Sequence, residues 1–166
     1  RRIRNTLRIL LGNLHDFESG KQESRKADFG LVDRWILDRL ENVIAECRAA
    51  YAAYEFHKVY HTLNQFCAVD LSSLYIDITK DRMYCDGSDS PRRRATQAAM
   101  HRIFDALCRL LAPILVFTAE EAWGYLDGSS SVHVQKFPDE IPALRDADAH
   151  QRVAQLLHLR SAIGQA

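Results

Sequence analysis

Arginine recurs through the first stretch of the chain, RRIRNTLRILLGNL, at a spacing suited to binding an anion. Wound as a helix, Ile3, Leu7, Leu10 and Leu14 fall on one side. Arg1, Arg4, Asn5 and Arg8 fall on the other. No acidic residue precedes Asp16, and like charges four apart on a helix repel. A guanidinium offers forked donors that match a phosphate, and an asparagine can both donate to and accept from a base edge. A solvated outer face of an amphipathic helix would carry similar residues. On residue types alone both readings stand.

A second polar cluster ends the run His57–Tyr84, HKVYHTLNQFCAVDLSSLYIDITKDRMY. Asp77, Lys80, Asp81 and Arg82 crowd its last turns, and Tyr84 adds an aromatic ring. The cluster fits a capped, solvated helix end or one wall of a binding site. Arg92, Arg93 and Arg94 stand at the start of a later helix, where the helix dipole disfavours cations. Pairing with Asp86 and Asp89 is the expected relief.

Other chemistry is less well supported. His57 and His61 lie four apart, but Lys58 stands where a zinc-protease helix needs its glutamate, and no third ligand is evident. They read as structural or surface histidines. Cys47, Cys67, Cys85 and Cys108 form no C-x-x-C pair, which argues against a zinc ribbon or redox motif and suits a reducing cytosol. There is no phosphate-loop signature, no G-x-G-x-x-G and no G-x-S-x-G elbow. No convincing acid/base pair stands out. These absences favour a binding module over an enzyme.

The elements that must position these residues read as helices. Leu37, Leu40, Ile44, Cys47, Tyr51 and Tyr54 alternate gaps of three and four, the seam of a helix packed lengthwise in a bundle. Asp33 is placed as its N-cap, with Val32 and Leu37 as a hydrophobic staple. Tyr60, Leu63, Cys67, Leu71, Leu74 and Ile78 mark the inner face of a single long helix from His57, widened by Val59, Phe66 and Tyr75. Asp70, Ser72 and Ser73 are polar residues near that seam, suited to internal hydrogen bonds. Met100, Ile103, Leu107, Leu110 and Ile114 continue the apolar face of another helix, which Pro113 ends or kinks. Thr118 and Glu121 look like a capping box for TAEEAWGYL, with Trp123 and Leu126 closing the core. Residues 15–32 are a connector broken by Ser19, Gly20 and Gly30. Residues 127–148 are loop-rich, with Val132 and Val134 as a short extended piece, and 149–166 form a terminal helix. The expected fold is all-α, a helical bundle of about five to six helices in one domain over residues 1–166.

Bulk properties agree with a soluble globular domain: 47% hydrophobic and 27% charged residues are enough apolar material for a core. The zero net charge does not announce a nucleic-acid partner, although it can hide a basic face. No apolar run approaches membrane-spanning length. The chain opens on Arg1 inside a helical pattern, which suggests a fragment of a longer protein.

Taken together, RRIRNTLRILLGNLHDF, DRWILDRL, YEFHKVYHTLNQFCAVDLSSLYIDITKDRMY, LAPILVFTAEEAW and SVHVQKFP resemble the anticodon-binding domain of bacterial-type isoleucyl-tRNA synthetases. The blocks occur in the family's order over nearly the whole chain. The DLSSLYIDITKDRMY and FTAEEAW blocks are also similar to valyl-tRNA synthetases, while RNTLR and DF followed by DRWIL favour isoleucine.

The resemblance implies a helical bundle that grips the anticodon stem and loop of isoleucine-accepting tRNA. Adenylation, with ATP and Mg, and transfer would belong to a catalytic domain whose HIGH and KMSKS motifs are absent here. It implies no cofactor in this chain, though many members carry a C-terminal zinc region. It also implies editing and C-terminal domains in the parent chain, a monomer, a cytoplasmic location and no membrane. The family's anticodon-facing surface maps onto the first helix, at Arg1, Arg4, Asn5 and Arg8, and onto the exit of the long helix, at Lys80, Asp81, Arg82 and Tyr84. A helical protein-interaction module without RNA binding is the competing reading.

Overall fold

The computed structural model describes residues 1–18, 28–126 and 129–164. Helices follow one another as α1 (Arg2–Asn13), α2 (Leu31–Ala52), α3 (Phe56–Gln65), a π-helical segment (Phe66–Tyr75), α4 (Ile76–Cys85), α5 (Pro91–Leu111), α6 (Val116–Leu126) and α7 (Ala147–Ile163). The segments α3, π and α4 are continuous, so the bundle has six helical rods and, among the described residues, no strand. The expected all-α bundle is what forms. No described helix is long and apolar enough to cross a membrane.

The core lies where α2, α5 and the α3–π–α4 rod meet, with α1 and α6 against one side and α7 against α2. Leu37, Leu40, Ile44 and Cys47 are buried as the α2 seam requires. Tyr51 is half-buried, donates its hydroxyl to the Leu110 carbonyl and stacks on Phe137. Tyr54 departs from the predicted seam. It lies beyond the end of α2, exposed, with a left-handed φ of 58°.

The long rod carries the main departure from the sequence reading. Val59, Leu63, Cys67, Leu71, Tyr75, Thr79 and Met83 are all buried and recur every four residues. In a regular α-helix each step of four overshoots a full turn by ~40°, so such a row winds off the core face. The π segment has i→i+5 turns, which hold more residues, so there each step falls short instead. The opposite drifts keep the row facing inward. Tyr60 and Ile78, placed on the inner face by a uniform helical period, are exposed for the same reason. Ser72 and Ser73 donate to the Cys67 and Ala68 carbonyls, five residues back, at 2.7 and 2.9 Å. Asp70 accepts from Arg39 of α2 at 3.1 Å, so this polar group serves internal hydrogen bonding as the sequence suggests.

Helix starts are also corrected. α2 begins after Gly30, and Asp33 sits within its first turn, accepting the Gly30 N–H at 3.2 Å. The Val32–Leu37 staple therefore does not arise. α6 begins at Val116, which places Thr118 inside the helix and frees Glu121 from a capping box. Val132–Val134 is one 3-10 turn rather than an extended piece, and α7 starts at Ala147. The breaks assigned to Ser19 and Gly20 lie outside the described residues.

Candidate nucleic-acid interface

α1 turns Ile3, Leu7, Leu10 and Leu14 into the core and presents Arg1, Arg4, Asn5 and Arg8 to solvent. Arg1, Asn5 and Arg8 make no ion pair or side-chain hydrogen bond among the described residues. Arg4 differs. Its guanidinium donates to both carboxylate oxygens of Glu121 on α6, at 3.0 and 2.8 Å. Both side chains are well exposed, so the pair contributes only about 0–1 kcal/mol to the fold. Its consequence is local: Glu121 offsets one charge of the arginine stripe.

The α4 exit sorts the remaining predicted residues. Lys80 pairs with Asp77 at 2.9 Å, which holds the Asp77 carboxyl below and the Lys80 ammonium above their ordinary values. Asp81 and Tyr84 are exposed, Tyr84 at 75%, with no side-chain hydrogen bond among the described residues. Arg82 is placed by the sequence among the RNA-facing residues. Its guanidinium turns inward instead and donates to Asp33 at 2.9 Å.

Asp33 is 1% exposed. It also accepts from the Tyr75 hydroxyl at 2.7 Å and the Thr96 hydroxyl at 3.2 Å. Burial, and then the Asp33 charge, push the Tyr75 pKa well above its usual value, so the hydroxyl stays a donor. Arg82 thus fixes where α4 leaves the bundle.

Two anchors set α1 against the long rod. Near one end the Thr6 and Ser72 hydroxyls share a 3.2 Å hydrogen bond. Near the other, Asp16 accepts from Arg93, whose Nε donates to the Met83 carbonyl. The two rods therefore run in the same direction. By the rise of ~1.5 Å per residue, Arg8 and Tyr84 stand roughly 15 Å apart along that direction. The structure does not gather the predicted residues at one point. The gap from Arg8 to Tyr84 alone is a length that roughly four to five stacked nucleotides cover at ~3.4 Å each.

The arginines at the start of α5 each find acceptors within the protein. Arg92 donates to both oxygens of Asp86, at 2.9 and 2.7 Å, as expected. Arg94 approaches the exposed Asp89 only to 3.9 Å. The partner that sequence reasoning missed is Asp16. Arg93 grips its carboxylate at 2.8 and 3.0 Å, Arg94 donates to its carbonyl and Gln97 to Oδ1. No local signal marks a contact 77 residues apart in sequence. His57 and His61 are both exposed, and no described group of three or more His, Cys, Asp or Glu is placed to hold a metal.

α1 thus presents a basic outer face, and the exit of α4 presents the exposed ring of Tyr84. The family model described as "Anticodon-binding domain of tRNA ligase" matches residues 33–166. The chain belongs to this anticodon-binding family. Curated relatives extend the similarity to α1. The isoleucine–tRNA ligase of Syntrophotalea carbinolica is 44% identical over all of this chain, and that of Desulfitobacterium hafniense 42%. The Symbiobacterium thermophilum enzyme of the same name is 45% identical over 98% of the chain. In each case the chain spans about 18% of the relative's length. It corresponds to the anticodon-binding part of such ligases, as the resemblance implied.

Proposed function

We propose that this chain binds the anticodon stem-loop of isoleucine-accepting tRNA as part of an isoleucyl-tRNA synthetase. The observation that carries the reading is the outer face of α1: Arg1, Asn5 and Arg8 exposed, without ion pairs among the described residues, on a helix with no acid of its own. Phosphates would meet Arg1 and Arg8, while Asn5 and Tyr84 offer an edge and a ring to unpaired bases. Lys80 and Asp81 flank the same exit, and Arg82 holds that exit in place. Aminoacylation, with its ATP and magnesium, would belong to a catalytic part outside this chain. The parent would work as a cytoplasmic monomer, and any zinc region would lie beyond these residues.

The test is a salt titration of binding to the isoleucine anticodon stem-loop. Arg8→Ala should flatten the slope of log affinity against log salt by about 0.7–0.9, the loss of one phosphate contact. Glu121→Gln should tighten binding, because it frees Arg4. A wild-type chain that binds no better than a neutral control protein would overturn the reading in favour of a protein-interaction module.

A further inference from the structure

A groove of about 710 Å³ lies between α1 and α6, within the size range of small-ligand sites. Its floor is apolar, built from the buried Leu7, Leu14 and Ala122 and from half-buried Leu11. Phe17 and His101 line it too, with ring centroids 5.3 Å apart. Burial lowers the His101 pKa below its usual 6.5, so that ring is uncharged at neutral pH. The rims differ in chemistry. Arg8 stands on the α1 side, and Tyr125, 77% exposed, on the α6 side. At Gly12 the α1 rim is open: a Cβ there would meet nothing within 4 Å. The Arg4–Glu121 pair joins α1 to α6 and lines the groove as well.

An apolar floor with an exposed aromatic ring on one rim and an unpaired guanidinium on the other suits an aromatic ring that carries an anion. We propose that the groove takes one unstacked nucleotide of the RNA loop, its base against the floor and Tyr125 and its phosphate on Arg8. This rests on the RNA-binding reading above and adds a base site apart from the α4 exit. The fit is one of charge and shape. The arginine face supplies the cations that an RNA backbone requires, whereas a purely apolar partner would leave Arg8 without an anion.

The test uses the whole chain and a stem-loop with 2-aminopurine placed at successive loop positions. Leu11→Trp should fill the groove, and Tyr125→Ala should remove the rim ring without touching the core. Each should weaken stem-loop binding about tenfold, the scale of one lost base–aromatic stack. The salt slope should stay at the wild-type value, since no phosphate contact is removed. At one loop position the fluorescence change on binding should disappear in both variants. If Tyr125→Ala binds with wild-type affinity and keeps the fluorescence change, the groove site is overturned while RNA binding stands. If the wild-type chain binds no stem-loop, the RNA reading fails first and the groove site fails with it.

Discussion

Asp33 and Arg82 sit on different helices 49 residues apart in sequence, yet they form a 2.9 Å ion pair around a carboxylate almost sealed from water. Tyr75, Thr96 and the Gly30 N–H converge on the same carboxylate. Removing it leaves a guanidinium and two hydroxyls without their acceptor. Asp33→Ala should therefore destabilise the fold by about 3–5 kcal/mol, the usual cost of breaking a buried pair by deleting one partner. Urea denaturation measures this directly. A loss below about 1 kcal/mol would mean that the network does not hold α2, α4 and α5 together.

Thr6 and Ser72 join α1 to the π segment. Ser72 Oγ already donates to the Cys67 carbonyl at 2.7 Å, and Thr6 Oγ lies 3.2 Å from it. A cycle of Thr6→Val, Ser72→Ala and the double variant should show a coupling of about 1 kcal/mol. Additive effects would show that the pair does not set the register between the two rods.

Acid should weaken the fold in two steps. Arg93 holds the Asp16 carboxyl well below its usual range, with Gln97 and Arg94 acting in the same direction and burial against them. The folded value lies beneath the unfolded one of about 3.9, so the unfolded chain binds more protons in acid. The stability from Asp16 is present above about pH 4 and is lost as pH falls through the folded value. His101 acts earlier with the same sign. Burial lowers its pKa from 6.5, so the unfolded chain takes that proton first. Melting temperature should begin to fall below about pH 6.5 and fall again below about pH 4. Asp16→Asn should shrink the second fall and keep the first. An unchanged acid limb in that variant would clear Asp16 of the effect.

What was legible in the sequence follows from period. Ile3, Leu7, Leu10 and Leu14 and the α2 seam from Leu37 to Cys47 repeat as a helix demands, and each is buried. A face of arginines without acids was legible too, because it needs only the helical angle between neighbours. The π segment was not. A uniform period assigned Tyr60 and Ile78 to the core, and the widened turns move them to solvent.

The roles of individual charges divide along the same line. Sequence alone determined that this chain is an all-α bundle with a basic first helix, because local periodicity and composition carry that information. Only the tertiary structure decided which charges remain available to a ligand. Arg82 is taken by Asp33, Arg4 by Glu121 and Arg93 by Asp16, while Arg8 is left without a partner among the described residues. Each pairing depends on which helix faces which across the bundle. That choice is made by packing the apolar faces, and no residue within a few turns of an arginine reveals it.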